Sequence, residues 1–186
     1  MIVNTLHWTV RDLEIMPDEG GWKRHEIIDG ELIVTRAPHI QHQGAAMGLG
    51  TLLEIWSKQT GLGRAFQTPG IVFSSTDAVI PDLVWISHDR LAQGIDEAGH
   101  LTIAPELIIE ILSPGDQNQR RDRELKLKLY SIHGVQEYWI VSWQQQTIEV
   151  YRRSDTHLQL TATLLVQDTL SSPLLPEFSA PLQDIF

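Results

Sequence analysis

The sequence predicts an α/β (α+β) fold, a central mixed β-sheet flanked by helices, and three observations carry that prediction. Asp29-Gly30 separates two apolar stretches, H-E-I-I and E-L-I-V, the pattern of a tight hairpin. Two segments, about 41–59 and about 118–132, have helical apolar spacing. Around them run short stretches rich in Val, Ile, Leu and aromatics, bounded by Pro and Gly, which read as strands. Helices interspersed with strands in this order pack against the faces of one sheet.

The elements follow in order. Residues 12–18 (D-L-E-I-M-P-D) suggest a short helix or turn, and the hairpin about Asp29-Gly30 comes next. The helix of 41–59 puts His42, Ala46, Leu49, Leu53 and Trp56 at i, i+4, i+7, i+11 and i+14, an apolar stripe that His42 opens. Gly61 is its stop, and Glu54 and Lys58 form a surface pair on another face. Residues 64–74, broken by Pro69-Gly70, read as a bent or edge strand. Strands follow at 79–86 and 105–112, with a polar, glycine-bearing loop between them. The helix of 118–132 stops at Gly134, and E-Y-W-I-V-S and T-I-E-V-Y-R are strands about the turn 143–146. The tail alternates apolar runs with proline breaks and is expected to lie along one side. No repeat or linker divides the chain, so one domain spans 1–186, with an N-terminal hairpin region (1–40), a core (41–142) and C-terminal strands and tail (143–186).

Composition narrows the function. The 186 residues contain no cysteine, which excludes disulfides and thiolate metal sites, so a metal must be held by oxygen or imidazole. The formal net charge of −10 argues against broad, sequence-independent binding to nucleic acid, which rests on a basic surface. Arg120, Arg121 and Arg123, followed by Lys126 and Lys128, form the densest basic run; it reads first as a solvated helix face, with a local binding patch as the alternative. Apolar runs of membrane-spanning length and the marks of a signal peptide are both absent, so the expected location is cytoplasmic, away from membranes.

Two acids interrupt otherwise apolar strands. Asp82 shares a face with Val84 and Ile86, and Glu110 with Ile108 and Leu112. An unpaired buried carboxylate costs several kcal/mol or is driven neutral. A divalent cation between the two acids removes that penalty, and hard oxygen ligands suit Mg²⁺ or Mn²⁺. The alternative is that each acid caps a turn or pairs with a surface base. On the following helix Asp122, Lys126 and Tyr130 share a side, next to an apolar stripe of Leu125, Leu129 and Ile132, while Glu124 and Lys128 form an exposed pair. From helix spacing alone, Lys126 reads first as the partner of Asp122.

Four blocks, I-P-D-L-V-W-I, E-L-I-I-E-I-L-S-P, D-R-E-L-K-L-K-L-Y and H-G-V-Q-E-Y-W-I-V, together resemble the Uma-two family, a branch of the PD-(D/E)xK nuclease superfamily. H-E-I-I-D-G-E-L and the His42 helix resemble its N-terminal part, so the likeness covers nearly the whole chain. It implies a restriction-endonuclease-like core with Asp82 as the aspartate of the PD element and Glu110 as the first acid of (D/E)xK. Two residues on, where the lysine belongs, stands Leu112; the resemblance offers Lys126 as a migrated equivalent.

The activity so implied is that of an endonuclease hydrolysing phosphodiester bonds in DNA. Asp82 and Glu110, with the Ile111 carbonyl, would hold Mg²⁺ (or Mn²⁺), and Lys126 would orient the water or stabilise charge on the phosphate. Glu26, Glu31 and His42 are candidates to complete the site, Glu31 and His42 foremost. His7, His88, His100 and His157 have no spacing to a partner and are set aside. A homodimer is expected, since many such nucleases cut two strands with two subunits. The alternative is an inactive member of the fold, a homo-oligomeric or nucleic-acid-binding module, which the acidic balance and the displaced lysine favour.

Overall fold

The computed structural model describes residues 6–16 and 23–186. The expected N-terminal helix is present as α1 (Val10–Glu14), with the Thr9 amide donating to Asp12 at 2.7 Å; positions 17 and 18 of the segment expected there lie outside the described residues. β1 (Lys23–Ile28) and β2 (Glu31–Arg36) pair with Ile28 opposite Glu31, which leaves Asp29 and Gly30 as the whole turn. Their φ angles of 53° and 75° are the left-handed values that a two-residue hairpin turn needs.

α2 (Ile40–Thr60) runs one residue past the expected bounds at each end and stops at Gly61, whose φ of 66° ends it in the left-handed conformation. All five residues of the expected stripe are buried, and Glu54 meets Lys58 at 3.4 Å.

The two strands expected over 64–74 and 79–86 are each divided between two sheets. β3 (Gly63–Gln67) pairs with β6 (Leu83–Ser87), and β4 (Ile71–Ser74) pairs with β5 (Asp77–Val79). A long hairpin therefore bends at Pro69-Gly70 on one arm and Pro81 on the other, where prolines cannot donate to a ladder. The Thr68 amide donates to the Asp82 carbonyl at 3.0 Å and holds the two bends together. Asp82 thus sits at the joint ahead of β6 rather than within a strand.

The loop expected after β6 contains a short helix, α3 (His88–Leu91). β7 (Leu107–Ile111) and β8 (Glu137–Ser142) are parallel neighbours, connected by α4 (Asp116–Arg120), a π-helical turn (Arg121–Lys126) and α5 (Leu127–Ile132). Gly134, at φ 84°, follows the last helix as expected. β9 (Thr147–Ser154) and β10 (His157–Leu164) complete a six-stranded sheet ordered β10-β9-β8-β7-β6-β3, in which only β7–β8 is parallel. The four-stranded sheet is ordered β2-β1-β5-β4, and β11 (Thr169–Ser172) forms a separate hairpin with β12 (Leu175–Pro181).

The six-stranded sheet has a core on each face. On one, Leu49, Leu53 and Trp56 of α2 pack with Trp85, Ile109 and Trp139, and the tail covers the rest with Leu170, Leu175 and Phe178. On the other, Leu129 and Tyr130 of α5 and Ile28, Ile71 and Val79 of the smaller sheet pack on Val84, Ile108 and Ile140. This is the expected mixed sheet between helices. Among the described residues no helix is long and apolar enough to cross a membrane.

Candidate active site

The second face ends in a cleft of about 360 Å³ where β1, the β5–β6 joint, β7 and the π-helical turn converge. Its floor carries ionisable side chains that an apolar core alone would not accept: Glu26, Asp82, Glu110 and Lys126 are all buried, with Asp122 beside them. The local structure accounts for each placement. Alternation along β1 turns Arg24 and Glu26 to the same side. Alternation along β7 turns Glu110 to the side of Ile108, and the bend at Pro81 swings Asp82 toward it. The Ile111 amide then donates to Asp82 Oδ2 at 2.9 Å, so one acid is tied to the strand that bears the other.

Lys126 lies between two carboxylates, with Nζ 2.8 Å from Glu110 Oε1 and 2.9 Å from Glu26 Oε1. The pairing with Asp122 expected from helix spacing is not made; Asp122 meets Arg121 at 3.0 Å instead. The side chains of Asp122, Lys126 and Tyr130 face inward, while Leu125 and Ile132 of the expected apolar stripe are 45% and 67% exposed. The inward face is chosen by charge. The sheet side already holds Glu110 and Glu26, and only a cation with hydrogen-bond donors can be buried against them. The π-helical turn that carries Asp122 and Lys126 is the kind of irregularity that recurs at functional sites. Within it the Tyr138 hydroxyl donates to the Asp122 carbonyl at 3.0 Å.

The basic run is thereby split. Arg120 pairs with Glu124 at 3.2 Å, which removes Glu124 from its expected partner Lys128, and Arg123 reaches Glu149 at 2.7 Å. Arg121 lines the cleft and Lys126 is buried, so neither belongs to a solvated face.

His42 also lines the cleft, its Nε2 3.1 Å from Asp82 Oδ2, while its buried Nδ1 has no hydrogen-bond partner among the described residues. Glu31 does not line it. Opposite Ile28 at the turn, it is exposed and lies about 16 Å along β2 from Arg36, at roughly 3.3 Å per residue. Glu26, the less favoured candidate, takes the inner position and also accepts from the Ile80 amide at 2.8 Å. None of His7, His88, His100 and His157 lines the cleft. Leu112 is buried in the core beside Ile140 and Tyr130, where an ammonium would have no place.

Several residues at the site were missed from sequence. Tyr130 donates to Glu110 Oε1 at 2.7 Å, and Arg24 approaches Asp82 Oδ1 at 3.5 Å. The signal for Arg24 was its spacing of two from Glu26 on one strand, and for Tyr130 its spacing of four from Lys126. His39 caps α2 through Nδ1, 3.1 Å from the Gln41 amide, and stacks on Trp143 with ring centroids 4.9 Å apart. Nothing in the spacing marks that contact, which joins distant segments.

Burial pushes the Glu110 carboxyl up to about 8, and the carboxylates of Asp82, Asp122 and Glu26 push the same way against the pull of Lys126. Asp122 is raised chiefly by burial, against Lys126 and Arg121. Burial also acts to raise Asp82, but His42, the Ile111 amide and Lys126 hold it below its ordinary value. Burial opposes the charge of Lys126, yet Glu110, Glu26 and Asp122 outweigh it and keep the ammonium protonated. The cluster is thus short of positive charge at Glu110, whose Oε2 accepts no hydrogen bond among the described residues. An oxygen donor set with surplus negative charge fits a hard divalent cation. Among the described residues no group of three or more acids and histidines is arranged to hold a metal ion; Asp82 and Glu110 are the pair that would hold one.

Residues 10–183 match the Uma2 family, described as "Putative restriction endonuclease". The chain belongs to that family. Among solved structures, a "putative nuclease belonging to DUF820" from Anabaena variabilis ATCC 29413 superposes with a TM-score of 0.72 at 22% identity, over 96% of this chain and 97% of that one. At that identity the likeness is one of fold. A search of curated proteins gave no match.

Proposed function

We propose that this Uma2 protein is a Mg²⁺- or Mn²⁺-dependent endonuclease that hydrolyses phosphodiester bonds in DNA, with Asp82, Glu110 and Lys126 as its catalytic residues. The observation that carries it is the meeting of Lys126 with Glu110 beside Asp82 on the floor of one cleft, from three separate segments. Asp82 and Glu110 would hold the cation, which supplies polarisation of the phosphate and a more acidic water. Lys126, held protonated by its neighbours, is unsuited to act as a base and offers its charge to the phosphate oxygens instead. His42 and the Ile111 amide orient Asp82; Tyr130 orients Glu110. In the hydrolysis, water oxygen bonds to phosphorus as the bridging P–O bond breaks. One water proton ends on the leaving sugar oxygen and the other is released as the new phosphomonoester ionises. The working unit in this proposal is a cytoplasmic homodimer, which sedimentation velocity checks for its stoichiometry.

One observation favours the non-catalytic alternative: Lys126 bridges Glu110 and Glu26 and so neutralises part of the site without a metal. Plasmid incubated with Mg²⁺ or Mn²⁺ separates the two. Wild type is expected to nick it, with Asp82→Asn and Glu110→Gln at least ~100-fold slower, the scale of losing one electrostatic group at a reacting centre. Equal cutting by all three proteins would remove the assignment.

A further inference from the structure

The shape and lining of the cleft narrow the substrate beyond DNA in general. Asp82 and Glu110 are only 7% and 4% exposed, so a phosphate must descend to the floor to reach them. The cleft, at about 360 Å³, is on the scale of pockets that enclose one small molecule, roughly 300–1,000 Å³, and so matches a nucleotide rather than a length of paired strands. One wall is formed by the connection from β2 into α2, where Arg36 and His39 line the opening. His39 is exposed, yet lies nearly parallel to Trp143, at 8°. With one ring face covered by the indole, its other face is free for a planar group. Arg36, together with Arg24 (paired with Asp82) and Arg121 (paired with Asp122), places three guanidinium groups around the same opening, in a chain whose formal net charge is −10. An extended duplex needs a broad basic surface. A basic rim confined to one narrow cleft and fitted with a stacked ring suits a single backbone with an unpaired base.

We infer that the cleft takes an unpaired nucleotide, in a single strand or a locally opened duplex, with its base stacked on the His39–Trp143 pair and its phosphate led to the floor by Arg24 and Arg121. This rests on the nuclease proposal for the chemistry but not for the binding. A stacked base needs no sequence match, since every base offers a π-face. An unpaired strand also bends into a recess that a stacked duplex cannot follow.

The test uses a short oligonucleotide with a central 2-aminopurine, single-stranded or annealed to its complement, titrated with the full-length protein in Ca²⁺. The expected result is at least tenfold tighter binding of the single strand, with fluorescence quenched by stacking. Because His39 also caps α2, two variants separate ring from cap. His39→Phe keeps a ring and loses the cap acceptor; His39→Asn keeps a cap acceptor and loses the ring. Stacking predicts that Asn weakens binding by roughly 5- to 150-fold and abolishes the quench, whereas Phe retains both. Equal affinity for strand and duplex, or a loss in Phe with none in Asn, would overturn the inference. Cleavage in Mg²⁺ then separates the two levels. Duplex cut as fast as strand sinks this inference and leaves the nuclease, whereas strand-selective binding without cleavage of either substrate sinks the nuclease and leaves this one.

Discussion

Replacing Glu110 with glutamine tests the electrostatics of the site without removing its shape. The amide oxygen of Gln can still accept from Lys126 and Tyr130, as Oε1 does now at 2.8 and 2.7 Å. The lost property is ionisation. Glu110 is pushed up to about 8 from an ordinary 4.5, so the fold favours its protonated form. The unfolded chain releases that proton near 4.5, and the folded protein holds it until about 8. Stability is therefore fully present below about pH 4.5 and declines as the pH rises toward 8. At about 1.4 kcal/mol per pH unit, the decline approaches ~5 kcal/mol above pH 8. Glutamine carries no such penalty. In EDTA, the variant should match wild type near pH 4.5 and melt higher at pH 8.5, by roughly 10–20 °C at ~2–4 °C per kcal/mol. Circular dichroism melts at both pH values measure it. A variant that melts below wild type at pH 8.5 would show that the ionised carboxylate stabilises the metal-free fold, and would refute the reasoning.

The remaining predictions concern the same cluster. Since a cation must displace the proton on Glu110, the thermal shift produced by Mg²⁺ should grow with pH up to about 8 and be absent in Glu110→Gln; a pH-independent shift would count against it. Lys126→Met leaves Glu110 and Glu26 facing each other without their shared cation and should cost about 3–5 kcal/mol of metal-free stability near pH 7, read by urea unfolding. Tyr130→Phe removes a single donor to Glu110 and should cost only about 1–3 kcal/mol in the same assay, leaving the fold intact.

Local patterns were legible where local physics decides. Asp29-Gly30 specifies a two-residue turn whatever surrounds it, and the stripe from His42 to Trp56 needs a core on only one side. The division of 64–74 and 79–86 between two sheets was not legible, because period-two alternation continues through a bend and does not name the partner strand. The prolines marked the bends but not their consequence. For the same reason Asp82 looked like a strand residue, although its place at the joint is what aims it at the Ile111 amide.

Hydrophobicity alone predicts Leu125, Leu129 and Ile132 as the inward stripe of the helix over 118–132; Leu129 is buried as expected, but Leu125 and Ile132 face solvent. Leu125 and Ile132 are ordinary core formers, but the buried acids on β1 and β7 outrank them by demanding Lys126 and Tyr130. That demand is set by residues far away in sequence, and no helical pattern contains it. Proximity to the turn favours Glu31 over Glu26, but hairpin register decides which acid reaches the cleft, and it is Glu26.

The most direct test of the proposed centre is a crystal of the full chain soaked in Mn²⁺, with anomalous diffraction locating the metal. The expected result is an ion touching both Asp82 and Glu110, with the Lys126 ammonium about 4–6 Å away, the range over which charges strongly shift one another's ionisation. Crystals with no anomalous density there, and Lys126 still bridging Glu110 and Glu26, would contradict it.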